Sequence, residues 1–181
     1  MTEADLLAAA GRQHGYFTTS QAEAAGVSRR ALVGRLRKGL LERTAFGLYR
    51  LPQYPVGPLD DLYALKAVAP SATFSHGTAL QLLALADILP RTIHLTVDPR
   101  SGLKPRPGVS IHRSRIEPHE RVLRDDLWLT SARRTLADCA RLGTDPDQLV
   151  AAFENAIERS LLTTTDRQEL ARTYPYSIAR S

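Results

Sequence analysis

Chain breakers punctuate the first 51 residues so closely that only short elements fit between them: His14-Gly15, Gly26, Gly39 and Gly47. Thr2 reads as the cap of a first helix running to about Gln13, with Asp5 at the capping-box position and Leu6, Leu7 and Ala10 on one face. The cap-rich run Thr18-Thr19-Ser20 precedes a second helix, Gln21 to Ala25, which Gly26 stops. Val27 is a buried spacer, and Ser28 caps a third helix from Arg29 to Lys38, ended by Gly39. Leu40–Arg43 and Leu48–Leu51 then read as strands joined through Gly47, a hairpin. Pro52 closes this first unit, residues 1–52, and Pro55, Gly57 and Pro58 follow in a semi-rigid linker over residues 53–58.

Charge is concentrated in the same segment. The formal net charge of the 181 residues is +5. Residues 27–50 hold Arg29, Arg30, Arg35, Arg37, Lys38, Arg43 and Arg50 against Glu42 alone, so this stretch carries the whole excess. At about 100° per residue, Leu32, Leu36 and Leu40 fall on one side of the third helix, and Arg30, Gly34, Arg37, Lys38 and Leu41 on the other. Arg29 and Arg30 occupy a helix start, where the dipole favours acids, so they suggest an external anion. Helix, glycine turn, capped cationic helix and glycine hairpin together are the order of a winged helix-turn-helix, whose second helix enters the major groove of double-stranded DNA.

Roles follow from position. Arg29 and Arg30 suit base edges, while Arg35 lies on a flank. Arg37, Lys38 and the wing residue Arg43 suit phosphates, with Gly47 opening the wing turn. Thr18, Thr19 and Ser28 offer hydroxyls and helix-start amides to a phosphate.

Residues 59–181 read as a second, mixed unit, making the chain α+β with a small sheet and flanking helices. Helices are expected from Asp60 to Ala69, from His76 (capped by Ser75) to Ala86, from Ser131 to Leu142, from Asp145-Pro146 to Ser160, and over Asp166–Ala171. Strands are expected at Thr92–Val97, Val109–Arg113 and Leu127–Leu129. A second basic cluster, Arg100, Lys104, Arg106, Arg113, Arg115, Arg121 and Arg124, faces only Glu117 and Glu120. It is either a solvated loop face or a second nucleic-acid surface, led by Arg100, Lys104, Arg106, Arg113 and Arg115.

Catalytic and metal sets are weaker. Gly143-Thr144-Asp145-Pro146-Asp147 has the outline of a nucleotidyltransferase metal motif, but Asp145 as cap and Pro146 at the first helical position explain it as a helix start. His94 and His112 pair across adjacent strands without a Cys or acid completing a ligand spacing, so no metal and no cofactor is expected. Adjacent Ser75 and His76 are expected to point apart, and Cys139 beside Leu136 to be core. The single cysteine forms no internal disulfide. With no signal peptide and no membrane-length apolar run, the expectation is a cytoplasmic protein without enzymatic activity.

Several stretches resemble the AbiEi antitoxins, the antitoxin halves of type IV toxin–antitoxin systems. They are Phe17–Ala22, Gly26–Leu32, Gly39–Leu41, Phe46–Tyr49, Ser75–Ala79, Ile93–Val97, Ile111–Ser114 and Leu129–Asp138. The resemblance implies an N-terminal winged helix and a C-terminal antitoxin domain. It also implies an autorepressor that binds inverted repeats in its own promoter, as a monomer or weak dimer pairing on DNA. Its operon partner would be a nucleotidyltransferase-like toxin, and direct contact with that toxin is not required. Many relatives of this layout continue into a nuclease domain resembling very-short-patch repair enzymes, which would begin where this sequence ends, at Ser181. From the residues alone, two alternatives stay open: a nucleotide- or RNA-interacting regulator (a degenerate enzyme among them), and an antitoxin that sequesters a toxin directly.

Overall fold

A computed structural model describes residues 3–88 and 90–174. The chain divides into two compact units, Met1–Ser71 and Ala72–Ser181. The cap assigned to Thr2 lies outside the described residues.

Unit 1 runs α1 (Glu3–Gly11), β1 (Tyr16–Thr18), α2 (Thr19–Ala24), α3 (Arg29–Arg37), β2 (Glu42–Ala45), β3 (Leu48–Arg50) and α4 (Asp60–Val68). The three strands form an antiparallel sheet in the order β1-β3-β2, with Phe17 opposite Tyr49. Strand β1 is absent from the sequence reading because three residues are too few to show an alternation. Leu6, Ala10, Phe17, Ala22, Val27, Leu32, Leu41 and Leu51 build one core, with Tyr49 stacked on Phe17 at 5.6 Å.

One expectation about α3 reverses at its end. Leu32 is fully buried and Leu36 packs against the core, but Leu40 is 57 % exposed and Leu41 is buried. The helical phase stops at Arg37, and Gly39, at φ +69°, turns the chain before Leu40. Counting 100° per residue through that turn puts the wrong leucine inside.

Helix α4 also departs from the expected boundary. It lies in unit 1, although the linker over residues 53–58 placed it with the second domain. Its side chains explain the assignment. The Tyr16 hydroxyl donates to Asp60, Lys66 Nζ donates to the Arg12 carbonyl at 2.6 Å, and His14 stacks on Tyr63 at 4.5 Å. Burial, reinforced by the Asp60 carboxylate, raises the Tyr16 phenol above its ordinary value, so it stays a donor.

Unit 2 contains β4 (Thr73–Phe74), α5 (His76–Leu82), β5 (Ile93–Val97), β6 (Val109–Arg113), a 3-10 turn at Pro118–Glu120, β7 (Arg121–Arg124), β8 (Leu127–Thr130), α6 (Ala132–Leu142), α7 (Pro146–Glu158) and α8 (Thr164–Thr173). Its sheet runs β6-β5-β4-β8-β7; β5 with β6 and β4 with β8 are parallel, the other pairs antiparallel. Leu80, Leu95, Leu129, Leu136, Leu149 and Phe153 are among its fully buried side chains. Cys139 is core, and burial pushes its thiol up to about 12. Asp145 Oδ1 accepts from the amides of Asp147 and Gln148, and Pro146 opens α7, so the Asp-Pro-Asp run acts as a helix start. Among the described residues, no helix is long and apolar enough to cross a membrane.

Candidate nucleic-acid interface

The base of the interface is the α2–turn–α3 unit. Thr18 caps α2 in a reciprocal box with Gln21, so its hydroxyl is already engaged. Thr19 is engaged as well: its amide and hydroxyl both donate to the Gly47 carbonyl, at 2.9 and 3.3 Å. These contacts fasten the start of α2 to the turn of the β2–β3 hairpin. They also hold the Thr18 and Thr19 side chains, which the sequence places toward a phosphate, in fixed positions at the start of α2. Gly47 makes the turn at φ +70°, a backbone that favours glycine.

Helix α3 begins at Ser28, whose side chain accepts from the Ala31 amide at 3.2 Å. Leu32 and Leu36 fix which side faces the core, and the other side carries Arg30, Gly34 and Arg37 at i, i+4 and i+7, with Lys38 at the C-cap. Arg30, Arg37 and Lys38 are exposed and form no ion pair among the described residues. A Cβ at Gly34 would meet nothing within 4 Å, so the fold does not require glycine there. What glycine does supply is bare backbone at the middle of the cationic face.

Two arginines differ from expectation. Arg29 Nε meets Glu23 Oε1 at 2.7 Å, so the cation at the helix start has an anion within the chain. With side chains 78 % and 44 % exposed, that pair is worth only about 0–1 kcal/mol. Arg50, counted among the basic run, is buried on β3; Glu42 accepts from Nε and Nη2 and the Tyr54 carbonyl from Nη1. The hydrogen bond to Glu42 raises its pKa, and it serves the fold. Arg35 is partly buried on the flank.

The hairpin completes the surface. Arg43 lies over the Phe46 ring at 5.4 Å, and Phe46 at the tip is 95 % exposed. An aromatic ring and a cation thus project together from the wing.

Residues 4–52 match the family described as transcriptional regulator, AbiEi antitoxin. The AbiEi-type segment therefore covers α1 to β3, the elements that build this surface. The crystal structure of the Rv2827c protein from Mycobacterium tuberculosis is similar over 96 % of this chain and 72 % of its own, with a TM-score of 0.57 and 16 % identity. That likeness is one of fold. No curated protein matches the chain.

Some members of the second basic cluster are engaged within unit 2, while Arg100 and Arg115 line one shallow cavity with Asp98 and Pro99. Arg113 donates to the Ser101 and Leu103 carbonyls, at 2.7 and 3.0 Å, and Arg124 to the Leu82 carbonyl at 3.1 Å. Arg121 stacks on Trp128 at 4.7 Å. Arg113 thus shapes the loop that carries Arg100, Lys104 and Arg106, and these three with Arg115 remain exposed.

Elsewhere in unit 2 the structure brings His76 to the His94–His112 pair that the sequence places on adjacent strands. His94 on β5 and His112 on β6 meet at 2.9 Å, Nδ1 to Nε2, and His76 stacks on His112 with centroids 3.7 Å apart. Ser75 and His76 do not point apart: Ser75 Oγ and His76 Nδ1 are 2.9 Å from each other. His76 sits at φ +50°, which swings its side chain away from the helical direction that the expectation assumed. Ser75 makes no capping hydrogen bond. Burial lowers all three imidazoles below the ordinary histidine value, His76 to about 3.

Beside them lies an ionic network. Arg134 Nε donates to both Asp138 oxygens at 3.0 Å, Nη1 to Glu120 at 2.8 Å and Nη2 to Ser114 at 3.0 Å; Arg141 adds a contact to Asp138 at 2.8 Å. Burial raises the Asp138 carboxyl, and the two arginines pull it part of the way back.

Proposed function

We propose that this protein is a sequence-specific, double-stranded DNA-binding autorepressor, non-enzymatic and cytoplasmic, that serves as the antitoxin of a type IV toxin–antitoxin system. The observation that carries the reading is the exposed Arg30–Gly34–Arg37–Lys38 face of α3, set beside a projecting wing within the AbiEi-type segment. In this reading α3 lies in the major groove, Arg30 takes a base edge, and Arg29 leaves Glu23 for the duplex. Arg37, Lys38 and Arg43 neutralise phosphates, and Gly34 admits the backbone close to the groove. Two copies occupy an inverted repeat in the protein's own promoter, with half-sites about 34–36 Å apart or a multiple of it. The neighbouring gene encodes a nucleotidyltransferase-like toxin that need not touch this chain.

Footprinting of the full chain on its own upstream region at two salt concentrations tests the proposal. Arg30→Ala is expected to cost about 1–3 kcal/mol and relax sequence choice, whereas Lys38→Ala weakens all sequences alike and lowers the log–log salt slope by about 1. Affinity and slope unchanged in both variants would remove α3 from the groove. Replacing Arg100, Lys104, Arg106 and Arg115 together by Ser asks whether the loop of unit 2 adds to the footprint; an unaltered slope assigns those cations to solvent.

A further inference from the structure

We propose that His76, His94 and His112 form a three-histidine site for a divalent transition metal of the zinc class, with a fourth coordination position open to water.

The topology brings the ligands together. Parallel strands β5 and β6 run in register, His94 opposite Ser110 and Thr96 opposite His112, so all four side chains share one sheet face. That face is polar, and Thr92, immediately before β5, extends it. The N-terminus of α5 adds His76, and the three residues each present a nitrogen within 4.8 Å of the others. An ideal tetrahedral zinc site, with Zn–N near 2.0–2.1 Å, spaces its nitrogens about 3.4 Å apart. His94 Nδ1 and His112 Nε2 stand 2.9 Å apart, and every nitrogen of the set lies within 4.8 Å of the others, so small ring movements reach the required spacing. The rings lie within 25° of parallel and must fan apart about χ2 to bind, and that torsion is soft for an sp³–sp² bond.

The surroundings supply what histidine ligands need beyond the metal. Ligating imidazoles donate their second N–H to a neighbour, which fixes tautomer and orientation. Ser75 Oγ stands at 2.9 Å from His76 Nδ1 and is itself held by the Thr96 hydroxyl at 2.8 Å. In the ligating tautomer His76 therefore gives its Nε2. Thr92 Oγ1 lies 3.4 Å from His94 Nε2 and 2.8 Å from Ser110 Oγ, which leaves His94 Nδ1 for the metal beside His112 Nε2. His76 keeps its positive φ on a buried residue, a strained conformation of the kind that collects at functional sites. Burial holds all three rings neutral near pH 7, the form in which imidazole has a lone pair to give.

The donor set selects the metal. Three imidazoles without a thiolate suit zinc, cobalt, nickel or copper and not magnesium or calcium, which take oxygen ligands. Asp138, the nearby carboxylate whose field acts on His112, is occupied by Arg134 and Arg141. It balances those cations instead of filling the fourth position, which three protein ligands leave to a solvent molecule.

The test uses tag-free full-length chain stripped with chelator and titrated with Zn²⁺, Co²⁺ and Mg²⁺. The expected result is one Zn²⁺ per chain by calorimetry and elemental analysis, intense four-coordinate visible bands with Co²⁺, and no Mg²⁺ uptake. His94→Gln and His112→Gln each weaken Zn²⁺ binding by about 10-fold or more, taking the loss seen on disturbing outer-shell partners as the floor. His14→Gln and His119→Gln bind as wild type. X-ray absorption on the zinc-loaded wild type, which needs no variant to fold, is expected to find three imidazoles and one oxygen. Absence of Zn²⁺ uptake, binding undiminished in the His94→Gln/His112→Gln double variant, or fewer than three imidazoles at the metal would overturn the site.

Discussion

Replacing Arg134 by methionine removes the centre of the ionic network in unit 2 while keeping most of the side-chain volume. The Arg134 side chain is 11 % exposed and bridges Asp138, 4 % exposed, to Glu120, 25 % exposed. Breaking a buried pair by deleting one partner costs about 3–5 kcal/mol, because the remaining charge stays buried without its counterpart. Two features place this case at the lower end. Arg141 still reaches Asp138 at 2.8 Å, and Glu120 is open enough to turn towards water. The expectation is therefore a loss of about 3 kcal/mol, which at about 2–4 °C per kcal/mol for a chain of this size lowers the melting temperature by about 6–12 °C. Trp128 on β8 is the only tryptophan, so its fluorescence reports unit 2 selectively. Adding Asp138→Asn on the Arg134→Met background removes the stranded charge and should restore at least about 1 kcal/mol. A loss below about 1 kcal/mol, or a second substitution that destabilises further, would show that Asp138 does not depend on Arg134 and refute the electrostatic account.

Three other outcomes are expected. Leu32→Ala should cost about 2–5 kcal/mol in denaturant unfolding and Leu41→Ala a similar amount, while Leu40→Ala stays within about 0.5 kcal/mol; equal costs for Leu40 and Leu41 would contradict the burial at the end of α3. The Thr163 hydroxyl and backbone amide, with Arg133, hold the Asp166 carboxyl below its ordinary value. Its folded pKa is thus depressed, so its stabilisation is present above about pH 4 and is lost as pH falls through that range. The difference in urea midpoint between wild type and Asp166→Asn should accordingly narrow from pH 7 to pH 3, and a constant difference would count against it. Native Cys139 should react with iodoacetamide at pH 8 only as fast as unit 2 opens, so burst modification of the folded chain would contradict its burial.

What was legible in the sequence followed from local chemistry. Ser28, Gly39, Gly47, Ser131 and Asp145 mark real element ends, because caps and left-handed turns act within a few residues. What was missed depended on partners distant in the chain. Strands β1 and β4 are too short to show in the sequence and are defined by partners far along the chain, β3 for β1 and β5 for β4. Leu40 and Leu41 exchanged places because a glycine turn interrupts helical phase. Arg29 and Arg50 read as unpaired cations until folding brought Glu23 and Glu42 beside them. His76 could not be joined to His94 and His112 by spacing, since the sheet and a single positive φ assemble the group.

The contacts of α4 bear on how a minimal groove-binding piece should be cut. A fragment ending at residue 52 keeps every element of the helix-turn-helix and wing but leaves the Tyr16 hydroxyl without Asp60 and the His14 ring without Tyr63. Such a piece would expose one flank of its own sheet to solvent, and poor behaviour in isolation would say nothing about its affinity for a duplex. The natural cut falls after Ser71.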